Sequence, residues 1–129
     1  LLAGAMIPSA WYLQAQRFRR HARQAMKSLF SQADVLIAPA TPCSATPIGA
    51  EEMVINGQPL PVRASMGMLT QPISFLGLPV VTVPLRTASG KPLGLQLIAA
   101  PFNEQACLRA ARALEAMGIT DARVAESAA

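Results

Sequence analysis

The sequence has few of the residues that most often carry acid–base and metal chemistry. It contains one histidine, His21, and two cysteines, Cys43 and Cys107. With no CxxC pair and no second histidine, a zinc site or a disulfide framework is not expected. His21 lies in a run of arginines, where a solvated helix face accounts for it better than a catalytic base. We expect both cysteines to be small buried hydrophobes in a reduced cytoplasmic protein.

Motifs for nucleophilic and phosphate chemistry are also missing. No serine lies in a GxSxG elbow, and the eight glycines are scattered rather than gathered in a phosphate-binding loop. Glu51 and Glu52 form a lone acidic pair in a loop, so paired catalytic carboxylates are not expected. The sequence therefore predicts no catalytic residue, no metal site and no cofactor in this chain.

No apolar run approaches the roughly 20 residues that a membrane-spanning helix needs. The net charge is +4, and five Arg or Lys residues lie between positions 17 and 27. Such a basic helix face could meet nucleic-acid phosphates. No aromatic side chain interleaves with it, however, so a solvated or subunit-facing surface explains it better.

What the chain does contain is a globular interior: 52% of its residues are apolar and 14% are charged. Hydrophobic periodicity and capping residues predict three helices, a hairpin at the Asn56-Gly57 turn within an otherwise loop-like stretch from Pro39 to Pro61, and three short apolar strands. The predicted helices are Ser9–Ser31, Ala64–Phe75 and Asn103–Met117, and the predicted strands are Asp34–Ala38, Leu78–Pro84 and Leu93–Ala99. Short apolar strands need cover on both faces, which favours an α/β fold with a mixed β-sheet covered by helices.

The stretch from Thr70 to Leu85 is unusual because prolines surround its most hydrophobic segment. Pro79 and Pro84 should bracket a strand of four residues, Val80 to Val83, since proline cannot donate to a sheet ladder. Gly77 permits a tight turn that would aim the preceding segment at the sheet. The polar side chains of that segment, Thr70, Gln71 and Ser74, could then bind a small polar substrate, but taken by themselves these residues are better explained by capping of loop carbonyls.

Three segments, in order, resemble the C-terminal third of amidase-signature hydrolases. They are ADVLIAPATP (33–42), LTQPISFLGLPVVTVPL (69–85) and GKPLGLQLIAAPFNEQACLRAARALE (90–115). The first is similar to the family's aspartate, strand and Pro-Thr segment. The second resembles its run of Pro-x-Asn-x-x-Gly-Leu-Pro, and the third its Gly-Leu-Gln segment with a closing helix. The biuret-type amidohydrolases are the branch that the chain most resembles.

The resemblance implies a mixed sheet surrounded by helices, with hydrolysis of a C–N bond by a serine nucleophile, a second serine in a cis peptide and a lysine base. No Gly-Gly-Ser-Ser string is present, and Lys27 and Lys91 stand in different contexts. No catalytic residue can therefore be carried over. Because the chain also begins without Met, we expect residues 1–129 to be the C-terminal segment of such a domain, inactive in isolation, with the catalytic part N-terminal to it.

Two departures from the family pattern bear on the substrate. Relatives that act on amino-acid amides often have an acidic residue where this chain has Met66-Gly67-Met68. Ser74 replaces the family's asparagine. The resemblance thus implies a small neutral or anionic amide or urea-like substrate, bound with help from Thr70, Gln71 and Ser74. It also implies a possible homodimer or a small accessory subunit.

Two other hypotheses stay open from the sequence. In the first, the chain is a non-catalytic binding or subunit-interaction module, and the three polar residues near Thr70 are structural. In the second, it is a nucleic-acid-binding fragment that uses the basic helix.

Overall fold

The computed structural model describes residues 2–88 and 90–120. The chain divides into two compact units, Leu1–Ala33 and Asp34–Ala129. The first unit holds α1 (Leu2–Ala5) and α2 (Ser9–Phe30). No helix in the described part of the chain is both long and apolar enough to cross a bilayer.

The predicted helix that begins at Ser9 is confirmed as α2. Pro8 precedes it with extended backbone angles, and its carbonyl accepts a hydrogen bond from the Trp11 amide at 2.9 Å. The helix ends at Phe30, where the Ser31 amide still bonds back to the Lys27 carbonyl. Its 22 residues contain basic side chains and no acidic ones.

The second unit contains two sheets and three helices within its described residues. Its α/β character confirms the predicted fold class. One sheet has the order β1-β5-β4 and the other is the hairpin β2-β3, and every pairing is antiparallel. The elements are β1 (Val35–Pro39), β2 (Glu52–Ile55), β3 (Gln58–Pro61), α3 (Val62–Ser65), α4 (Gln71–Leu76), β4 (Val80–Arg86), β5 (Pro92–Ala99) and α5 (Glu104–Ala116).

The hairpin at Asn56-Gly57 is confirmed. Both turn residues have positive φ, 51° for Asn56 and 77° for Gly57. Two consecutive left-handed residues make the type I′ turn whose twist matches that of paired strands. β2 and β3 flank this turn, with Ile55 opposite Gln58.

The prediction of one helix over Ala64–Phe75 was wrong. Two short helices, α3 and α4, occupy the region, with turns between them. Pro72 lies in the first turn of α4, where its missing N–H costs nothing. In the interior of one continuous helix the same proline would have removed a hydrogen bond and clashed with the preceding turn.

The prediction that Pro84 ends its strand was also wrong. β4 continues to Arg86, and Pro84 lies opposite Gly94 of β5. The Ala99 amide donates to the Pro79 carbonyl at 3.1 Å, which makes that pair a hydrogen-bonded one. Because such pairs alternate along an antiparallel ladder, the nitrogen of Pro84 points away from β5. Among the described residues no strand lies on that side, so no ladder bond is lost.

Replacement of Pro84 by alanine should therefore lower the free energy of unfolding by only about 0.4–1 kcal/mol, mainly because the unfolded chain gains conformational entropy. Urea unfolding measures the change. Val81→Pro is the matched contrast, because the amide at that position faces β5 and its loss breaks the ladder. Equal effects of the two substitutions would contradict the assigned register.

The core lies between the three-stranded sheet and α5. Leu97, Ala99 and Cys107 have no exposed surface, and Val35 and Val81 pack against the cluster. The predicted helix from Asn103 is confirmed as α5, with Gly118 in a left-handed conformation after its end. One face of the sheet thus packs against α5, and the other face carries the buried Gln96 and Ile98.

Candidate functional site

Gln96 is a buried polar residue in the three-stranded sheet. It lies in the middle strand, β5, and only 2% of its surface is exposed. Its Nε2 atom donates to the Pro39 carbonyl at 2.9 Å and to the Leu69 carbonyl at 3.3 Å. One buried amide therefore ties the segment before α4 to both the end of β1 and the sheet.

Sequence reasoning missed Gln96 as a site residue. The signal was present, because a single polar residue interrupts the apolar run LGLQLIAA (93–100). Buried polar side chains are nearly always hydrogen-bonded, so a glutamine at the centre of a buried strand demands partners. Those partners lie 57 and 27 positions away, and the sequence does not indicate which they are.

A groove of about 570 Å³ opens beside Gly94 on the sheet. Thr82 lies opposite Gln96 in the ladder, so the two side chains are on one face of the sheet, and Gly94 belongs to that same face. Among the described residues no charged side chain lines the groove. Its lining includes three threonines, two sulfur-containing residues and a glycine: Thr41, Thr46, Thr82, Cys43, Met66 and Gly94. Such a lining suits a small uncharged molecule with a few hydrogen-bonding groups.

Gly94 is required by close packing. A Cβ atom at this position would lie 2.8 Å from Ala40 Cβ and 3.0 Å from Thr82 Cγ2. The Ala40 amide also donates to the Gly94 carbonyl at 2.8 Å. The glycine therefore lets the chain leaving β1 pack closely beside β5 at the edge of the groove.

The predicted substrate-binding residues lie together at the start of α4. The Ser74 amide donates to the Thr70 carbonyl at 3.0 Å, which places the two residues one helical turn apart, with Gln71 beside them. Gln71 and Ser74 are exposed. Thr70 is half-buried, and its hydroxyl donates to the Gly67 carbonyl at 3.2 Å. The capping role anticipated for these residues thus fits Thr70, and the other two have side chains on the surface.

The turn expected at Gly77 fixes the direction of α4. Gly77 has φ 65° and ψ 42°, and the Leu78 and Gly77 amides bond to the Ile73 and Ser74 carbonyls. This pattern is a Schellman motif, which needs a left-handed residue and favours glycine. Leu76 and Leu78 on either side are buried. The helix is consequently held at both ends, by Gln96 through Leu69 and by the Gly77 turn.

The two cysteines occupy different surroundings. Cys107 is fully buried as expected, and burial raises the pKa of its thiol. Cys43 is only half-buried, contrary to expectation, and its Sγ lies 3.6 Å from Met53 Sδ at the groove. Both are free thiols. Within residues 2–88 and 90–120, no three His, Cys, Asp or Glu side chains come together as metal ligands would.

Comparison with known proteins identifies the fold. The family model described as Amidase matches residues 2–108. The chain is 52% identical over 120 residues to AtzE, a 1-carboxybiuret hydrolase component from Pseudomonas sp. (strain ADP), covering 92% of this chain and 26% of that protein. It is 40% identical over 100 residues to a component of the glutamyl-tRNA(Gln) amidotransferase of Roseiflexus sp. (strain RS-1), covering 78% and 20%. The chain thus spans about a quarter or less of the length of these relatives.

Solved structures agree with this comparison. A structure described as an unexpected vestigial protein complex, concerning the origins of an s-triazine catabolic enzyme, matches with a TM-score of 0.87 at 50% identity. The match covers 95% of this chain and 27% of that one. An amidase crystal structure matches with a TM-score of 0.83 at 30% identity, covering 90% and 27%. In each case the chain corresponds to part of a larger protein.

Proposed function

The chain belongs to the amidase signature family, and we propose that it is the C-terminal portion of an amidohydrolase that cleaves the C–N bond of a small carboxamide or urea-like compound. The 52% identity to a component of a 1-carboxybiuret hydrolase supports the urea-like substrate class. The uncharged groove beside Gly94 supports it as well, because such a substrate carries carbonyl and N–H groups rather than a cation.

In this proposal the chemistry is supplied by a serine, a second serine in a cis peptide and a lysine, none of which has a counterpart in these 129 residues. A lysine kept neutral in a dry pocket activates the serine pair. Backbone N–H groups stabilise the oxyanion that forms when the serine oxygen attacks the carbonyl carbon. The residues described here do not take part in bond making. They form a wall of the pocket and orient the substrate.

The observation that carries the proposal is the anchoring of α4. Gln96 holds Leu69 by a buried hydrogen bond, and the Gly77 turn closes the other end of the helix. A polar side chain on a segment fixed at both ends is placed rigidly, which raises the fraction of productive encounters with a small substrate. We assign Gln71 and Ser74 to substrate contact. The Thr70 hydroxyl donates its hydrogen to the Gly67 carbonyl. It can therefore only accept a hydrogen bond from a substrate N–H.

Gln71→Ala in the full-length enzyme should reduce kcat/KM for the amide substrate by about 1–3 kcal/mol of transition-state binding, because a substrate group is left unpaired. Steady-state kinetics with a biuret-type amide measure the loss. Gln105→Ala is the matched control, since this glutamine is also exposed but lies on α5. Unchanged kcat/KM with a lowered melting temperature would assign Gln71 a structural role and remove it from the site.

A further inference from the structure

The side chain of Gln71 folds back over Gly67. A Cβ atom on Gly67 would lie 3.0 Å from Gln71 Nε2 and 3.5 Å from both Cδ and Cγ. A glutamine on an exposed helix surface normally samples many rotamers. Here the amide lies against the backbone of the preceding turn, so that a side chain at position 67 would make the amide move aside.

Backbone hydrogen bonds fix the two residues relative to each other. The Gly67 carbonyl accepts the Gln71 amide at 2.9 Å, the Thr70 amide at 3.1 Å and the Thr70 hydroxyl at 3.2 Å. Gly67 is not among the residues with positive φ. Its backbone conformation is therefore open to any L-residue, and a side chain added there would meet Gln71 rather than strain the backbone.

The same segment reaches the groove and the sheet. Met66, next to Gly67, lines the groove, and Leu69 accepts the buried hydrogen bond from Gln96. The turn that carries Gly67 is thus tied to the sheet on one side and to α4 on the other. The Gln71 amide rests on this turn.

We infer that Gly67 is a positioning residue: the space it leaves holds the Gln71 amide in the orientation in which it pairs with a urea-like substrate. A primary amide offers one carbonyl and one NH₂ group, and a urea-like group offers the complementary N–H and carbonyl. Two parallel hydrogen bonds require a fixed amide plane. The inference rests on the proposed function. It adds that the Gln71 amide pairs with the substrate and that Gly67 orients this amide.

A double-mutant cycle in the full-length enzyme tests the inference, with the same biuret-type amide as substrate. Gly67→Ala should raise KM about 3–10-fold while kcat stays within about twofold, because the amide is displaced and the catalytic groups are not. In the Gln71→Ala background, Gly67→Ala should have no further effect, since the residue it orients is gone. Gly4→Ala is the control, because a Cβ there meets nothing within 4 Å.

Additive losses in the cycle, or no change in KM for Gly67→Ala, would overturn the inference while leaving Gln71 in the proposed site. No loss for Gln71→Ala would overturn both. If Gly67→Ala does not fold, Gln71→Asn provides the test. This shorter amide cannot lie over Gly67, so its KM should rise as it does for Gly67→Ala, and an unchanged KM would contradict the role of Gly67.

Discussion

Gln96→Leu is expected to lower the free energy of unfolding by about 1–3 kcal/mol, because the carbonyl groups of two residues lose the same donor at once. Leucine fills nearly the same volume, so the loss of stability comes from the missing hydrogen bonds rather than from a cavity. The affected carbonyls belong to Pro39 and Leu69, which come from different parts of the chain. The substitution should therefore loosen the segment before α4 as well as the end of β1.

Chemical unfolding measures the stability, and amide hydrogen exchange of residues 66–76 measures the local release. Gln105→Leu is the matched control, since that side chain is exposed on α5 and its replacement should change stability by less than about 0.5 kcal/mol. Equal effects of the two substitutions would show that the Gln96 hydrogen bonds do not anchor α4.

Gly94→Val is expected to destabilise the protein by about 3 kcal/mol or to block folding, because overpacking forces a backbone shift where the chain after β1 runs beside β5. The nearest atoms to the added Cβ, at 2.8 and 3.0 Å, belong to Ala40 and Thr82. Thr82 lines the groove, and Ala40 is followed by Thr41, which also lines it, so the groove should deform as well. Thermal and urea unfolding measure the change in stability.

A second substitution, at Ala40, tests whether the effect at Gly94 comes from crowding. Ala40→Gly removes the methyl group that lies nearest to the added Cβ. Combined with Gly94→Ala, it should recover most of the stability that Gly94→Ala loses on its own, because the two changes exchange a methyl group across one contact. Purely additive losses would mean that Gly94 is needed for a reason other than the space beside Ala40.

Much of the fold followed from local patterns. The apolar spacing of α2 and α5, the Asn56-Gly57 turn and the Gly77 turn are decided within a few residues, and the structure confirms each of them. The family assignment also came from short ordered segments and is confirmed by the match over residues 2–108. The two errors about helices and strands, at Ala64–Phe75 and at Pro84, both concern prolines. A proline is tolerated in the first turn of a helix, or where its nitrogen points away from the neighbouring strand, and neither condition can be read from the local sequence.

The candidate site also has features that the sequence predicted and features that only the folded chain reveals. The sequence predicted that Thr70, Gln71 and Ser74 belong to one short segment aimed at the sheet by Gly77, and the structure places them within one helical turn. It could not reveal Gln96 as the anchor, the crowding at Gly94 or the space over Gly67. Burial of Gln96 creates a need for partners that only the packed chain can meet, from Pro39 and Leu69. Local sequence thus determined which short segment carries the polar residues, because the Gly77 turn is a local feature, and tertiary packing alone decided what holds that segment against the sheet.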